Sequence, residues 1–216
     1  MNIVFLVSGN GGNLKFFYEV IAKTEIIQGK LYVIADRDCM ATSFCMQKKI
    51  PYSIISYTRD KTRELQSILL KINPDVIITN WNKIIDSETV KLFHGKMINL
   101  HYSLLPAFSG MIGVKPIQEA LKRNCCFLGA TVHWVEEIVD AGKIITQSVF
   151  LNNGRFDQVL ERVFRSGCFL LLNTLLMLSN NEKSQTFQHP DILFSPQLSF
   201  NPLLFDLSFW NALKEL

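Results

Sequence analysis

The sequence predicts an α/β fold built on a doubly wound, mostly parallel sheet with an antiparallel addition. Three observations predict it. Short apolar runs alternate with helical spacings over the first hundred residues, which is the order of a parallel sheet covered on both faces. The runs are continuous rather than alternating, as strands buried on both faces require. After Pro106 the alternation gives way to two neighbouring strand-like segments joined through Asp140-Ala141-Gly142.

Ile3 to Val7 is the first apolar run, and it ends in Ser8-Gly9-Asn10-Gly11-Gly12-Asn13, a strand entering a glycine-rich turn. Leu14, Phe17, Tyr18 and Ile21 then repeat at helical spacing. Leu31 to Ala35 is a second strand, Ala41 to Lys49 a second helix and Tyr52 to Ile55 a short third strand. From Arg59 to Ile72 an amphipathic helix is expected, with Leu65, Ile68, Leu69 and Ile72 on one face and Asn73-Pro74 as its stop. Val76 to Thr79 is the fourth strand, Asp86 to Phe93 a helix, and Met97 to Leu100 the fifth strand. Gly113 to Leu121 reads as a loop leading into a helix, Gly129 to Val135 and Lys143 to Phe150 as an antiparallel pair, and Asp157 to Leu178 as a long apolar helix. The tail is polar from Ser179 to His189 and apolar again through Phe205, Phe209 and Trp210.

The chain has 216 residues, 48% of them apolar, enough for one sizeable core without staples. Residues 1-180 are expected to form the catalytic domain and 181-216 a C-terminal extension packed on it. A net charge of +3 with scattered lysines and arginines excludes the basic face of a dedicated nucleic-acid binder, yet suits a phosphorylated substrate. Five cysteines without a CxxC pair argue against a disulfide framework and against a zinc site, and for a reducing compartment. Cys125 and Cys126 are expected to pack as small apolar groups. The first residues carry no signal-peptide pattern, and the run Cys168 to Leu178, interrupted by Asn173 and Thr174, is shorter than the roughly 20 apolar residues of a membrane span. A cytoplasmic protein without a membrane segment follows as the expectation.

In a parallel sheet of this kind ligands bind at the carboxyl ends of the strands. The glycine loop, Asn80 to Lys83, and the pair Asn99 and His101 all fall there. Asn99, His101 and Asp140 differ in kind: an amide and an imidazole can hold an oxyanion, and a carboxylate can set the imidazole's charge and relay protons. Together they make a minimal kit for moving an acyl group onto an amine. Apart, His101 is an ordinary structural histidine and Asp140 an ordinary turn carboxylate. The loop of Gly11, Gly12 and Asn13 can offer free N–H groups to a phosphate at a helix start, or it can be simply a tight turn. It matches neither the dinucleotide fingerprint nor the Walker pattern. His133 either supports the site or fills a hydrogen-bonded core position. Trp81 is read as a wall of a ring-binding pocket, and His94 and His189 as surface residues.

Ser8 to Leu14, then Asn99-Leu100-His101 with Ser103-Leu104-Leu105-Pro106, then Gly129 to Gly142, in this order, resemble the formyltransferases that use 10-formyltetrahydrofolate. The resemblance runs from Met1 to about Phe169 and implies a Rossmann-like fold. It implies transfer of a formyl group from the folate co-substrate to a primary amine, with no metal. It assigns Asn99 and His101 to the tetrahedral oxyanion, and Asp140 to tuning the histidine, as an imidazolium beside a carboxylate, and to proton relay. Asn82, Lys83, Ile84 and Ile85 align with the folate-contacting stretch, Lys83 standing where arginine is usual. Gly11, Gly12 and Asn13 fall near the acceptor's phosphate.

The glycine loop is nearest to the phosphoribosylglycinamide (GAR) branch, but three departures point to a changed acceptor. Gly12 stands for a serine that contacts the substrate phosphate, Gly167 aligns with a glutamate that holds the glycinamide substrate, and the loop from Gly110 to Pro116 is longer. Pro116 to Leu121 is more similar to the sugar and methionyl-tRNA formyltransferases. The resemblance therefore favours a nucleotide-linked amino sugar as acceptor, with GAR as the alternative; a folate-binding module without turnover is the non-enzyme alternative. With neither a basic tRNA-gripping segment nor a regulatory segment seen in this sequence, transfer to methionyl-tRNA and hydrolysis of formylfolate are the less expected activities. Pairing into a homodimer is left open.

Overall fold

The computed structural model describes residues 1–179 and 185–215, so the expected boundary between 180 and 181 lies outside the described residues. The chain forms two compact units, Met1–Asn99 with Asp206–Leu216, and Leu100–Phe205.

The first unit is a parallel sheet with helices between its strands. Strand β1 (Asn2–Val7) is followed by α1 (Gly12–Lys23), β2 (Lys30–Ala35), α2 (Met40–Lys48), β3 (Tyr52–Ile54), α3 (Arg63–Ile72), β4 (Val76–Asn80), α4 (Ser87–Leu92) and β5 (Met97–His101). Their order across the sheet is β3-β2-β1-β4-β5, all pairings parallel. Ile3 through Leu6 and Ile77 with Ile78 are completely buried, as the continuous apolar runs require. The order reverses between β1 and β4, so the ends of those two strands flank the crevice where such sheets bind ligands.

Helix termini follow local chemistry. Gly11 caps α1 in the left-handed region (φ 68°), and a Cβ there would lie 2.8 Å from the Ala41 Cβ, so only glycine fits. Asp86 caps α4 by accepting the Thr89 N–H at 2.9 Å. Helix α3 starts at Arg63 rather than Arg59, because Thr58 and Lys61 close a bridged turn first. Its buried residues are Leu65 and Leu69, with Asn73 in the left-handed cap before Pro74. The last helix, α7 (Leu207–Lys214), is capped by Asp206 and packs on α1, where Phe16 stacks on Trp210 at 5.6 Å and meets Phe209 edge-on at 5.8 Å. A buried ring of this size contributes about 3–5 kcal/mol relative to alanine.

The second unit contains α5 (Lys115–Lys122), the antiparallel strands β6 (Phe127–Trp134), β7 (Ile144–Leu151) and β8 (Leu193–Ser195), and α6 (Phe156–Leu178). The polar residues inside α6 have partners that the sequence did not reveal. Thr174 and Ser166 hydrogen-bond Thr146 and Ser148 of β7, each at 3.1 Å. Asn173 accepts the Ser199 N–H at 2.8 Å and donates to the Gln197 carbonyl at 3.2 Å, which pins the tail under the helix. A buried amide satisfied on both sides is stable there; an unsatisfied one costs about 1–3 kcal/mol.

His189 is half-buried rather than a surface residue, its ring against Phe194 and Phe169. His94 is exposed, as expected. Cys126 is exposed and Cys125 partly so, against the expectation of buried thiols; they sit in the turn between α5 and β6, outside the core.

Candidate functional site

Strand β5 runs through His101, one residue further than the apolar run suggested, because the pairing of the sheet carries polar residues past the last aliphatic one. Side chains alternate along a strand, so Asn99 and His101 emerge on one face and Leu100 on the other. Leu100 is turned toward α6, where a Cβ on Gly167 would lie 2.9 Å from its Cδ2.

The structure brings His101, Asp140 and His133 together in the second unit. His101 Nδ1 lies 3.4 Å from Asp140 Oδ2, and His133 Nε2 lies 3.5 Å from Asp140 Oδ1. Both rings are buried. Asp140 Oδ2 also accepts the Gly110 N–H at 2.7 Å. The carboxylate is set at a non-glycine residue with φ 56°, a conformation that costs of order 1–3 kcal/mol and persists only where surroundings hold it. The neighbouring Gly142 permits this turn: a Cβ there would collide with the Trp134 carbonyl at 1.8 Å. On β6 the register slips between Val132 and His133, leaving Ile145 of β7 without a partner, and such bulges re-aim the side chain beside them.

Each imidazole has a second oxygen at its other nitrogen. His101 Nε2 faces the Phe108 carbonyl at 3.1 Å, and His133 Nδ1 faces the Trp134 carbonyl at 2.8 Å. A carbonyl and a carboxylate both only accept, so a neutral His101 ring, with its single proton, can satisfy only one of the two. A second proton, on Nδ1, would satisfy both contacts. Burial works the other way and wins: it holds His101 below the ordinary histidine range, despite the upward pull of Asp140 and the Phe108 carbonyl. For Asp140 burial favours the protonated acid, but hydrogen bonds from His133 and Gly110 and the two nearby rings outweigh it and hold the carboxyl below its usual range. An imidazole beside a fixed carboxylate can take up and give back a proton.

In the first unit Asn99 lies beside the Thr79 hydroxyl, 3.1 Å from its Oδ1, which turns the amide oxygen to Thr79 and the NH2 group to the other side. Gly11 caps α1, and Gly12 and Asn13 open it, so their N–H groups point out of the first turn. Asn82, Lys83 and Ile84 are exposed and Ile85 is buried. The Asn82 N–H donates to Ser8 Oγ at 2.9 Å, tying the stretch after β4 to the glycine loop. Among the described residues the N–H groups of Lys83 and Ile84 donate to no acceptor. Asn80 Oδ1, at the end of β4, is buried without a hydrogen-bond partner.

Trp81, read from the sequence as a wall of a ring-binding pocket, is held from within the fold. Its ring is buried against Tyr57 at 5.0 Å, and its Nε1 donates to the Lys83 carbonyl at 3.0 Å, so it braces the stretch from below. Sequence reasoning placed Ser8 in the glycine loop but did not foresee its contact with the Asn82 N–H, and it missed Gly110 as a donor to Asp140. Among the described residues no group of three or more histidine, cysteine or acidic side chains could hold a metal ion, and no helix is long and apolar enough to cross a membrane.

A family model described as formyl transferase matches residues 1–152. Chloroplastic phosphoribosylglycinamide formyltransferase of Vigna unguiculata is 27% identical over 172 residues, covering 74% of this chain and 55% of the relative. Formyltetrahydrofolate deformylase of Escherichia coli strain K12 is 33% identical over 122 residues, covering 54% of this chain and 42% of the relative. The chain thus spans about half the length of the curated relatives it matches. The solved structure of phosphoribosylglycinamide formyltransferase from Coxiella burnetii, in complex with CHES, superposes with a TM-score of 0.75 at 25% identity, covering 92% of this chain and 95% of that one.

Proposed function

The chain belongs to the formyl transferase family, and on that premise we propose that it moves a formyl group from 10-formyltetrahydrofolate to a primary amine of a phosphate-bearing acceptor. The observation that carries this is the buried pairing of His101 with Asp140 at 3.4 Å, on a strand that also bears Asn99. The amine nitrogen bonds to the formyl carbon while the carbonyl electrons move onto oxygen. The Asn99 NH2 group and the His101 ring stabilise that oxyanion, a role in which one preorganised donor is worth about 3–4 kcal/mol. Collapse breaks the bond between the formyl carbon and the folate nitrogen, and the proton lost by the amine passes to that nitrogen. Asp140 holds the imidazole's orientation and offsets the charge the ring gains on the way.

The folate is assigned to Asn82, Lys83, Ile84 and Ile85. The uncommitted N–H groups of Lys83 and Ile84 and the orphaned Asn80 oxygen suit a heteroaromatic ring read along its edge. Gly11, Gly12 and Asn13 are assigned to the acceptor's phosphate, at a helix start whose dipole favours an anion. His133 is assigned a supporting role through Asp140.

For the acceptor, the named relatives support glycinamide ribonucleotide over the nucleotide-linked amino sugar that the sequence departures favoured. One observation keeps the sugar as a second reading: a Cβ at Gly167 would lie 2.9 Å from Leu100 Cδ2 and 3.3 Å from Tyr102 Cε1, so the carboxylate of the purine branch would enter only by displacing Leu100. Tetrahydrofolate release measured with glycinamide ribonucleotide, with nucleotide-linked amino sugars and without amine separates the three outcomes. Turnover on the ribonucleotide supports the first reading, turnover only on sugars replaces it with the second, and formate release without amine makes the protein a hydrolase. Binding of a folate analogue without any turnover leaves a binding module and ends the proposal.

A further inference from the structure

Lysines that are scattered along the sequence are gathered at one place in the first unit. At the amino end of β2 a cavity of about 380 Å³ opens between α1, β2 and the turn that follows α2. Lys30, Lys48 and Lys49 line it together with Tyr18 and Tyr32, and no aspartate or glutamate does. The end of α2 builds one wall. Lys49 takes the left-handed region there (φ 57°), and the Ile50 N–H returns to the Cys45 carbonyl at 2.9 Å, closing the helix. The Pro51 carbonyl accepts the Val33 N–H at 3.0 Å and ties this turn to β2. Leu31 and Ile50, both buried, supply apolar lining. Tyr18 is held edge-on against Phe44 with ring centroids 5.4 Å apart, and the Lys48 ammonium stands 5.7 Å from the centre of the Tyr18 ring.

Among the described residues none of the three ammonium groups has a carboxylate partner, and neither tyrosine hydroxyl has a hydrogen-bond partner. Lys23, on the same helix as Tyr18, is by contrast paired with Glu19. Like charges around one hollow with apolar walls raise the local concentration of anions. Tyrosine rings offer flat apolar area, and their hydroxyls can donate as well as accept. Solvation alone accounts for the exposed Lys30 and Lys49; it gives no reason for an ammonium drawn over a ring beside two uncommitted hydroxyls. The volume falls in the range of small-molecule sites, about 300–1,000 Å³. The place is away from the crevice: β2 runs from Lys30 to Ala35, so at about 3.3 Å per residue the cavity lies roughly 16 Å from the carboxyl end of that strand.

We propose that this cavity is a second binding site, for a small anion built on a flat ring. The ring lies on Tyr18 and Tyr32, and a phosphate or carboxylate reaches the ammonium groups of Lys30, Lys48 and Lys49. Nucleoside monophosphates and aryl carboxylates share this chemistry. The site uses none of the residues assigned above to folate, acceptor or formyl transfer, so its ligand and the folate are held at the same time.

The test uses the full chain at low ionic strength, where screening is least. Calorimetry measures the Kd of adenosine monophosphate and of p-hydroxybenzoate, with adenosine as the ring alone and inorganic phosphate as the charge alone. At least one of the first two is expected to bind about tenfold or more tightly than adenosine or phosphate, and the tighter one identifies the acid that the lysines take. Lys48→Gln combined with Lys49→Gln should weaken that probe about tenfold, and Tyr32→Leu about fivefold. Hydrogen exchange should slow at residues 29–32 and 48–51 when the probe is bound, and a non-transferable 10-formylfolate analogue should not displace it. Binding of both probes weaker than about 1 mM, phosphate as tight as the better probe, or affinity indifferent to the lysine pair overturns the inference. So does protection confined to residues 8–13, or displacement by the folate analogue, since either places the anion in the crevice instead. Should Tyr32→Leu not fold, the lysine pair and the phosphate arm decide.

Discussion

Replacing Asp140 by asparagine removes a charge while keeping the shape and the acceptor for the Gly110 N–H. At 3.4 Å and an effective dielectric of about 20, a protonated His101 and the carboxylate attract by about 5 kcal/mol. That attraction exists only while the ring carries its second proton, so it counts in the step of the reaction that places the proton there. Burial of the ring and competition from His133 for the same carboxylate take back part of it. A net loss of about 3 kcal/mol or more remains, which is at least a hundredfold in kcat at 1.36 kcal/mol per tenfold. Initial rates of tetrahydrofolate release give kcat, and calorimetry with a non-transferable analogue gives folate affinity, which should stay within about threefold. The His101 ring should also titrate at still lower pH, because Asp140 raises its pKa. A kcat within tenfold of the unsubstituted protein refutes the reasoning, and so does a rate loss matched by an equal loss of binding.

Stability should depend on pH through two histidines held below the ordinary value, His101 and His189, each mainly by burial. Below about pH 6.5 the unfolded chain binds protons at both that the native state does not, so the melting temperature should fall from there downward and level off above about pH 7. His189→Phe should shrink the fall, and Asp140, held below its usual range, adds a loss only below about pH 4; equal melting temperatures at about pH 5 and pH 7.5 contradict the scheme. Gly11→Ala places a Cβ 2.8 Å from Ala41 in a left-handed residue and should cost about 2–4 kcal/mol in urea unfolding; a cost under about 0.5 removes the steric argument. Gly167→Glu, which restores the carboxylate of the purine branch, should destabilise by about 2 kcal/mol or more against Leu100 and Tyr102 without lowering the acceptor KM. A lowered KM would show that the carboxylate can be accommodated there after all.

The parallel half of the fold was legible because burial on both faces forces continuous apolar runs, and helices between them must show one apolar stripe. Ile3 to Val7, Leu31 to Ala35 and Val76 to Thr79 all stand where the pattern puts them. Asn99, His101 and Asp140 could be singled out because their chemistry differs from that of their neighbours and they stand at strand ends or turns. Cys126 and His189 were misjudged for one reason: whether a polarizable side chain faces core or solvent depends on neighbours distant in sequence. Arg59 to Thr62 continued a helical spacing that a local bridge interrupts, a contest that periodicity does not register.

Sequence by itself determined the order of elements, the residue types available for chemistry and their resemblance to a family, since these follow from local propensity, spacing and motif. Tertiary structure decided the two acceptors that face the His101 ring, the left-handed seat of Asp140 and the packing of Trp81 on Tyr57. Those are properties of distance and burial between stretches that are far apart along the chain, and the strength of an electrostatic or hydrogen-bonded contact is set by separation and solvent exclusion rather than by residue identity.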